Sequence, residues 1–225
     1  MKKYIVIYNK NSRGKTYSKQ DLEMIFSSHD LDSKIFVTNE IKQVDKIVKN
    51  FKNSKDYVYC AIGGDGTLNS LINALLGNNI NNPEVACIAS GSGSDFMRTF
   101  AMPVDIHQAI SRIKNNQNYS IDASFIESKT KSRYFINVLN YGFLAETVNL
   151  SEKLPNMFKR FRYPISFWLK LFTGKQSLFN LKIEPFPSKK IISFLFVKNS
   201  SGWLESNFFI FVNLKFDIFS KFVSK

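Results

Sequence analysis

Apolar residues along the first half of this chain come in two alternating rhythms. Tyr4–Tyr8 is a short β-branched and aromatic run that ends in the polar stretch Asn9–Lys15, the pattern of a buried strand followed by a loop. Residues 18–28 then place Leu22, Ile25 and Phe26 at helical spacing. Lys34–Val37 is strand-like again, and Ile41, Val44, Ile47, Val48 and Phe51 fall on one face of an amphipathic helix over 41–51. Tyr57–Ile62 predicts a third strand ending in glycines, and Leu68, Leu71, Ile72, Leu75 and Leu76 a second strong helix. Val85–Ile88 predicts a fourth strand, and Asp105–Lys114 a further helix behind Pro103. Strands alternating with helices to about residue 118 predict an α/β layer with a largely parallel sheet.

After that point the rhythm changes. Ile121–Glu127 and Tyr134–Leu139 flank the polar Ser128–Ser132 and predict a hairpin. Leu178–Glu184, Ile191–Lys198 and Phe208–Asn213 predict three more strands without clear intervening helices. Residues 157–172 form a basic-aromatic stretch interrupted by Pro164. The expected organisation is an α/β domain over residues 1–120 and an antiparallel, β-rich domain over 121–225.

Composition narrows the classes. The chain has 225 residues, 44% of them hydrophobic and 22% charged, enough apolar content for a core. Its net charge of +13 is uneven: residues 1–150 carry +4, and 151–225 carry +9 together with 14 of the 22 phenylalanines. A basic, aromatic final third suits an anionic surface, either a phospholipid headgroup layer or nucleic acid. No nucleic-acid recognition motif accompanies the charge, so nucleic acid is not an expected partner. Cys60 and Cys87 lie in apolar runs and are expected as buried free thiols, which suits a reducing compartment. Only five largely apolar residues follow Lys3 before Asn9, too few for a signal peptide, and no apolar run approaches the roughly 20 residues of a membrane span. A cytoplasmic protein is expected, at most peripheral on the inner face of a membrane. A homodimer is compatible with the sequence.

The strongest chemical signal is Gly63-Gly64-Asp65-Gly66-Thr67, between a strand and a helix. Ligand sites of parallel sheets form at the carboxyl ends of strands. Glycines there admit a phosphate close to the backbone, and a helix N-terminus adds partial positive charge. Asp65 repels a bare phosphate, so it is expected to act through Mg2+, which prefers hard oxygen ligands. Ser90–Asp95 (SGSGSD) follows the next strand and is expected to face the same crevice, with Gly91 and Ser92 lining it. Gly14-Lys15-Thr16 imitates the end of a Walker A loop, but Asn9 stands where that motif needs glycine. No G-x-S-x-G elbow is present, and His29 and His107 are expected as solvated helix residues.

GGDGTLNSLINAL at Gly63–Leu75 resembles the nucleotide-binding signature of the diacylglycerol kinase catalytic domain family, which includes soluble bacterial lipid kinases and the sphingosine and ceramide kinases. NAD kinases and phosphofructokinases share the GGDG element, but Asn69 and the LINALL helix favour the lipid-kinase branch. Ala89–Arg98 is similar to the family's P-x-G-T-x-N-D-F-A-R motif, without the proline and with Ser94 in place of asparagine. Asn9, Ser12, Gly14 and Lys15 resemble its first phosphate-proximal loop. Thr38 matches a nucleotide-contacting threonine, and Ile121-Asp122 the opening of its second domain. Phe135–Asn137 with Gly142 resembles its F-x-N followed by glycine, and Arg162-Tyr163 a basic-aromatic element.

The resemblance implies a domain of NAD kinase and phosphofructokinase type beside the β-rich second domain. It also implies ATP as phosphoryl donor, Mg2+ on Asp65, and phosphorylation of diacylglycerol or a related lipid to phosphatidate at an anionic membrane. Asp65, Asp95 and Asp122 would supply carboxylates to one crevice, with Lys15 balancing their charge. Asn9, Ser12, Gly14, Thr38, Gly63, Gly64, Gly66, Thr67, Asn69, Gly91 and Ser92 would line the nucleotide site. The family continues into an aspartate-glycine motif that supplies a proposed general base, whereas no Asp-Gly follows Gly66 here. The expectation is a second domain that stops before that motif, through truncation, frameshift or degeneration. Two other readings stay open: a catalytically inactive remnant that binds nucleotide or membrane, and an NAD kinase-like nucleotide kinase.

Overall fold

A computed structural model of the chain describes residues 2–12, 14–51, 56–90, 94–115, 118–127, 131–136, 143–173 and 191–195. They divide into two compact units, Met1–Asn137 with Ser188–Lys225, and Val138–Pro187. In the first unit the elements run β1 (Lys3–Asn9), α1 (Lys19–Ser28), β2 (Ser33–Thr38), α2 (Ile41–Phe51), β3 (Tyr57–Gly63), α3 (Asp65–Gly77) and β4 (Glu84–Ala89). They continue with α4 (Asp95–Thr99), α5 (Ile106–Lys114), β5 (Asn118–Asp122), β6 (Ser124–Glu127) and β7 (Ser132–Phe135). The second unit holds α6 (Phe143–Lys153), a 3-10 helix (Asn156–Phe161) and α7 (Arg162–Thr173), after which β8 (Ile191–Leu195) returns to the first.

The fold is α/β. One sheet has the order β2-β1-β3-β4-β8-β5, with β1 to β4 and β8 parallel and β5 antiparallel to β8; β6 and β7 form a separate antiparallel pair. The two-residue period that would separate an inner from an outer face is missing from β1, β3 and β4, because helices cover both faces. Ile5, Val6, Ile7, Val58, Cys60, Ala61, Val85, Ala86 and Cys87 are completely buried. Each valine or isoleucine so buried contributes about 1.5–3 kcal/mol. Right-handed crossovers put α1 on one face and α2 with α3 on the other. Asp45 of α2 fixes the second layer: it accepts from Asn78 Nδ2 at the end of α3 (2.8 Å) and pairs with Lys49 (2.7 Å).

Both cysteines are free and buried, as expected. Burial pushes the Cys60 thiol up to about 12 and holds the Cys87 thiol well above its ordinary value, so neither is a thiolate at neutral pH.

Local chemistry sets the element ends. Ser18 and Asp21 form a reciprocal capping box on α1 (3.0 and 2.9 Å). α1, α3 and α4 each close with paired 5→2 and 6→1 bonds around a left-handed residue that is not glycine: Asp30 (φ 56°), Asn79 (φ 57°) and Ala101 (φ 49°).

The structure departs from the sequence pattern after residue 118. Ile121 and Asp122 belong to β5 in the main sheet, so the hairpin begins only at Ser124. The strand expected at Ile191–Lys198 appears as β8, but inserted between β4 and β5. Pro164 does not interrupt the basic-aromatic stretch: it lies in the first turn of α7, where a missing N–H costs no intrahelical bond. α4 and α6 were not expected. α4 spans five residues, and α6 buries only Thr147, so it has no apolar stripe to read. The strands expected at Leu178–Glu184 and Phe208–Asn213 lie outside the described residues.

Candidate functional site

The carboxyl ends of the parallel strands are level. β1 pairs Asn9 with Thr38, and β3 pairs Gly63 with Ala89. Three connecting segments therefore start from one edge of the sheet and touch one another. Asn9 donates from Nδ2 to Thr67 Oγ1 (3.2 Å), Ser12 and Ser90 share a hydroxyl hydrogen bond of 2.7 Å, and Ser90 N–H donates to the Gly63 carbonyl (3.1 Å). Asn9 also accepts the Asn11 N–H in a local turn (3.0 Å).

Gly63 and Gly66 are glycines for different reasons. A Cβ on Gly63 would stand 2.3 Å from Thr67 Oγ1 and 2.6 Å from Thr67 Cβ, so the turn closes only without a side chain. A Cβ on Gly66 would meet nothing within 4 Å, although Gly66 sits inside α3, where glycine costs about 1 kcal/mol relative to alanine. The N-cap of α3 is Gly64, which has no side chain to cap the helix. A 13-residue helix thus begins on a glycine, beside the open surface of Gly66, in the middle of the loop cluster.

Asp65 links the second loop to the first. Its Oδ2 accepts the Asp95 N–H (2.9 Å) and its Oδ1 the Phe96 N–H (3.1 Å), so it caps α4 from a different segment of chain. Asp95 in turn receives Arg98 Nη1 at 3.0 Å.

The model of the diacylglycerol kinase catalytic domain family matches residues 3–126, a span that contains this whole cluster. The chain belongs to that family. Curated relatives include the diacylglycerol kinases of Staphylococcus aureus strains JH9 and NCTC 8325 / PS 47, each 27% identical over 209 residues, 89% of this chain. The chain spans 64% of the length of these relatives. A crystal structure of a diacylglycerol kinase from Bacillus anthracis str. Sterne is 26% identical, covering 54% of this chain and 45% of its own, with a TM-score of 0.44.

Among the residues that the family resemblance singled out, Asn9, Ser12, Gly63, Gly64, Asp65, Gly66, Thr67 and Asp95 come together. Thr38 is at the same strand ends but buried, its hydroxyl donating to the Tyr8 carbonyl (3.3 Å). Gly14 is exposed on the loop after β1, and Lys15 Nζ lies over the Tyr17 ring, 5.5 Å from its centroid, rather than against an aspartate. Asn69 faces the hairpin, its amide 3.0 Å from the Tyr134 carbonyl; one turn on, Asn73 bonds both the N–H (2.9 Å) and the C=O (2.8 Å) of Tyr134, imitating a strand neighbour. Gly91 and Ser92 lie outside the described residues.

Asp122 is not in the cluster. It pairs with Ile191, and β8 runs beside β4 with Ser193 next to Glu84. That register puts Asp122 toward the amino ends of the parallel strands, about seven residues or roughly 23 Å from the level of Ala89.

Two contributors lie outside the residues expected at the site. Ser90 completes the Ser12 contact, and Arg98 holds Asp95. Their signals were present: Ser90 opens the second loop, and Arg98 stands three residues after Asp95 at the start of a helix.

For a divalent cation the described residues offer the Asp65 and Asp95 carboxylates and no group of three or more His, Cys, Asp or Glu. One or two carboxylates fit Mg2+ held mainly by nucleotide phosphates and water, and do not fit an all-protein cage.

Proposed function

We propose that the chain is an ATP-dependent lipid kinase that phosphorylates the hydroxyl of diacylglycerol or a related lipid, giving phosphatidate. Residues 1–120 would bind the nucleotide and 121–225 the lipid. The observation that carries this reading is the start of α3 on Gly64, which offers no side-chain cap, beside the open face of Gly66. An anion there gains the helix dipole and the backbone amides of the first turn. Gly64 and Gly66 would border the phosphates, with Asn9, Ser12, Thr67 and Ser90 fixing the surrounding loops. Mg2+ on the phosphates, with Asp65 as its protein ligand, would neutralise charge there.

In the transfer, the lipid oxygen attacks the γ-phosphorus, the bond to the β–γ bridging oxygen breaks, and ADP leaves. Asp95, held by Arg98, would be the carboxylate that receives the hydroxyl proton. Asp65 would also hold the α4 turn that presents Asp95.

Lipid must be met at a surface. The second unit exposes Phe161, Trp168 and Phe172 within the basic stretch 157–172, and Phe172 is 80% exposed. Aromatic rings with neighbouring cations suit an anionic headgroup layer. No helix among the described residues is long and apolar enough to cross a membrane.

The occupied oxygens of Asp65 favour a second reading, a fold that binds nucleotide without turning it over. Incubation of the full chain with ATP, Mg2+ and diacylglycerol in mixed micelles separates the two. Phosphatidate formation supports the kinase; ATP binding without product supports the inactive domain. Formation of NADP from NAD without phosphatidate would replace both with a nucleotide kinase.

A further inference from the structure

On the α1 side of the sheet, at the end opposite the loop cluster, two histidines 78 positions apart in the sequence face one another. His29 Nε2 and His107 Nδ1 are 3.2 Å apart, with ring centroids at 5.4 Å and planes inclined by 39°. His29 is the C-cap of α1, fixed by the bonds around Asp30, and His107 is in the first turn of α5, whose N-cap Asp105 accepts the Gln108 N–H (3.0 Å). The same two elements are tied again by Lys114 Nζ and Asp30 Oδ2 at 3.0 Å. The backbone supports of both rings are therefore set without any contribution from the pair itself.

We infer that His29 and His107 form a two-imidazole site for a borderline transition-metal ion, zinc, nickel or copper. Two nitrogens bound at about 2.0–2.1 Å to one tetrahedral ion lie roughly 3.3 Å apart, close to the separation here. Without an ion, one nitrogen must donate its hydrogen to the other across a long contact; an ion accepts both lone pairs at once. His29 is half-buried and His107 exposed, so water has access to the remaining coordination positions. No third His, Cys, Asp or Glu completes a protein cage among the described residues. The site is thus open, selects nitrogen-seeking metals over Mg2+ or Ca2+, and would clamp the end of α1 to the start of α5. Cys60 and Cys87 do not compete, being buried and protonated.

The test is titration of the full chain with ZnCl2, followed by calorimetry and by thermal unfolding, with MgCl2 as control. One zinc per chain is expected, with a rise in Tm of roughly 3 °C or more at saturation and none with MgCl2. His29→Gln and His107→Gln, made separately, should each weaken zinc binding at least tenfold and abolish the Tm rise, while unfolding near the wild-type temperature without metal. Absence of zinc binding by the wild-type chain, or equal binding by either variant, would overturn the assignment.

Discussion

Asp65 Oδ1 accepts the backbone N–H of Phe96 at 3.1 Å, 31 residues further along the chain. With the companion bond to Asp95, this makes the aspartate of the glycine loop a cap for the next helix. The two loops after β3 and β4 are therefore one structural unit before any ligand binds. Removing a capping carboxylate costs about 1–2 kcal/mol. Asp65→Ala should lose about that much stability in urea denaturation without nucleotide or Mg2+, and Asp65→Asn less. An unchanged midpoint for Asp65→Ala would remove the capping role.

Gly66→Ala separates folding from binding. The added methyl enters open space and replaces a helical glycine, so stability should hold or rise by up to about 1 kcal/mol. If phosphate approaches at Gly66, ATP affinity should fall at least tenfold in the same variant. Calorimetry beside thermal unfolding reads both.

Gly63→Ala should behave oppositely. Its methyl would overlap Thr67, and overpacking of this kind costs about 1–3 kcal/mol. Chemical denaturation should show the loss with or without nucleotide.

Ala101 adopts φ 49° at the end of α4. A left-handed non-glycine residue costs roughly 1–2 kcal/mol, partly offset by the extra unfolded-state entropy of glycine. Ala101→Gly should therefore raise the urea midpoint modestly, by the equivalent of about 0.5–1 kcal/mol.

Acid should loosen the helix layers. The Asp21 carboxyl is held below its ordinary value of 3.8 by hydrogen bonds from Ser18, and Asp45 by those from Lys49 and Asn78. A carboxylate with a lowered folded pKa binds protons more weakly when folded. The stability it contributes is therefore full above about pH 4 and lost as pH falls through the folded values. Denaturation midpoints should fall below that point, and less steeply in Asp45→Asn.

The sequence by itself determined the α/β half of this protein. Apolar runs at Tyr4–Tyr8, Tyr57–Ile62 and Val85–Ile88, interleaved with amphipathic segments, leave one way to bury both faces of a sheet. Crossover rules then bring the glycine loop and its neighbours to one edge. Such local signals carry the family resemblance as well. Only the tertiary structure decided which of the marked residues meet. Asp65 points at the α4 amides, Asn69 serves the hairpin, Asp122 goes to the other end of the sheet by the register of β5 on β8, and His29 finds His107. Those outcomes depend on side-chain direction and strand register between segments 30 or more residues apart, and neither is encoded in the local spacing of residue types.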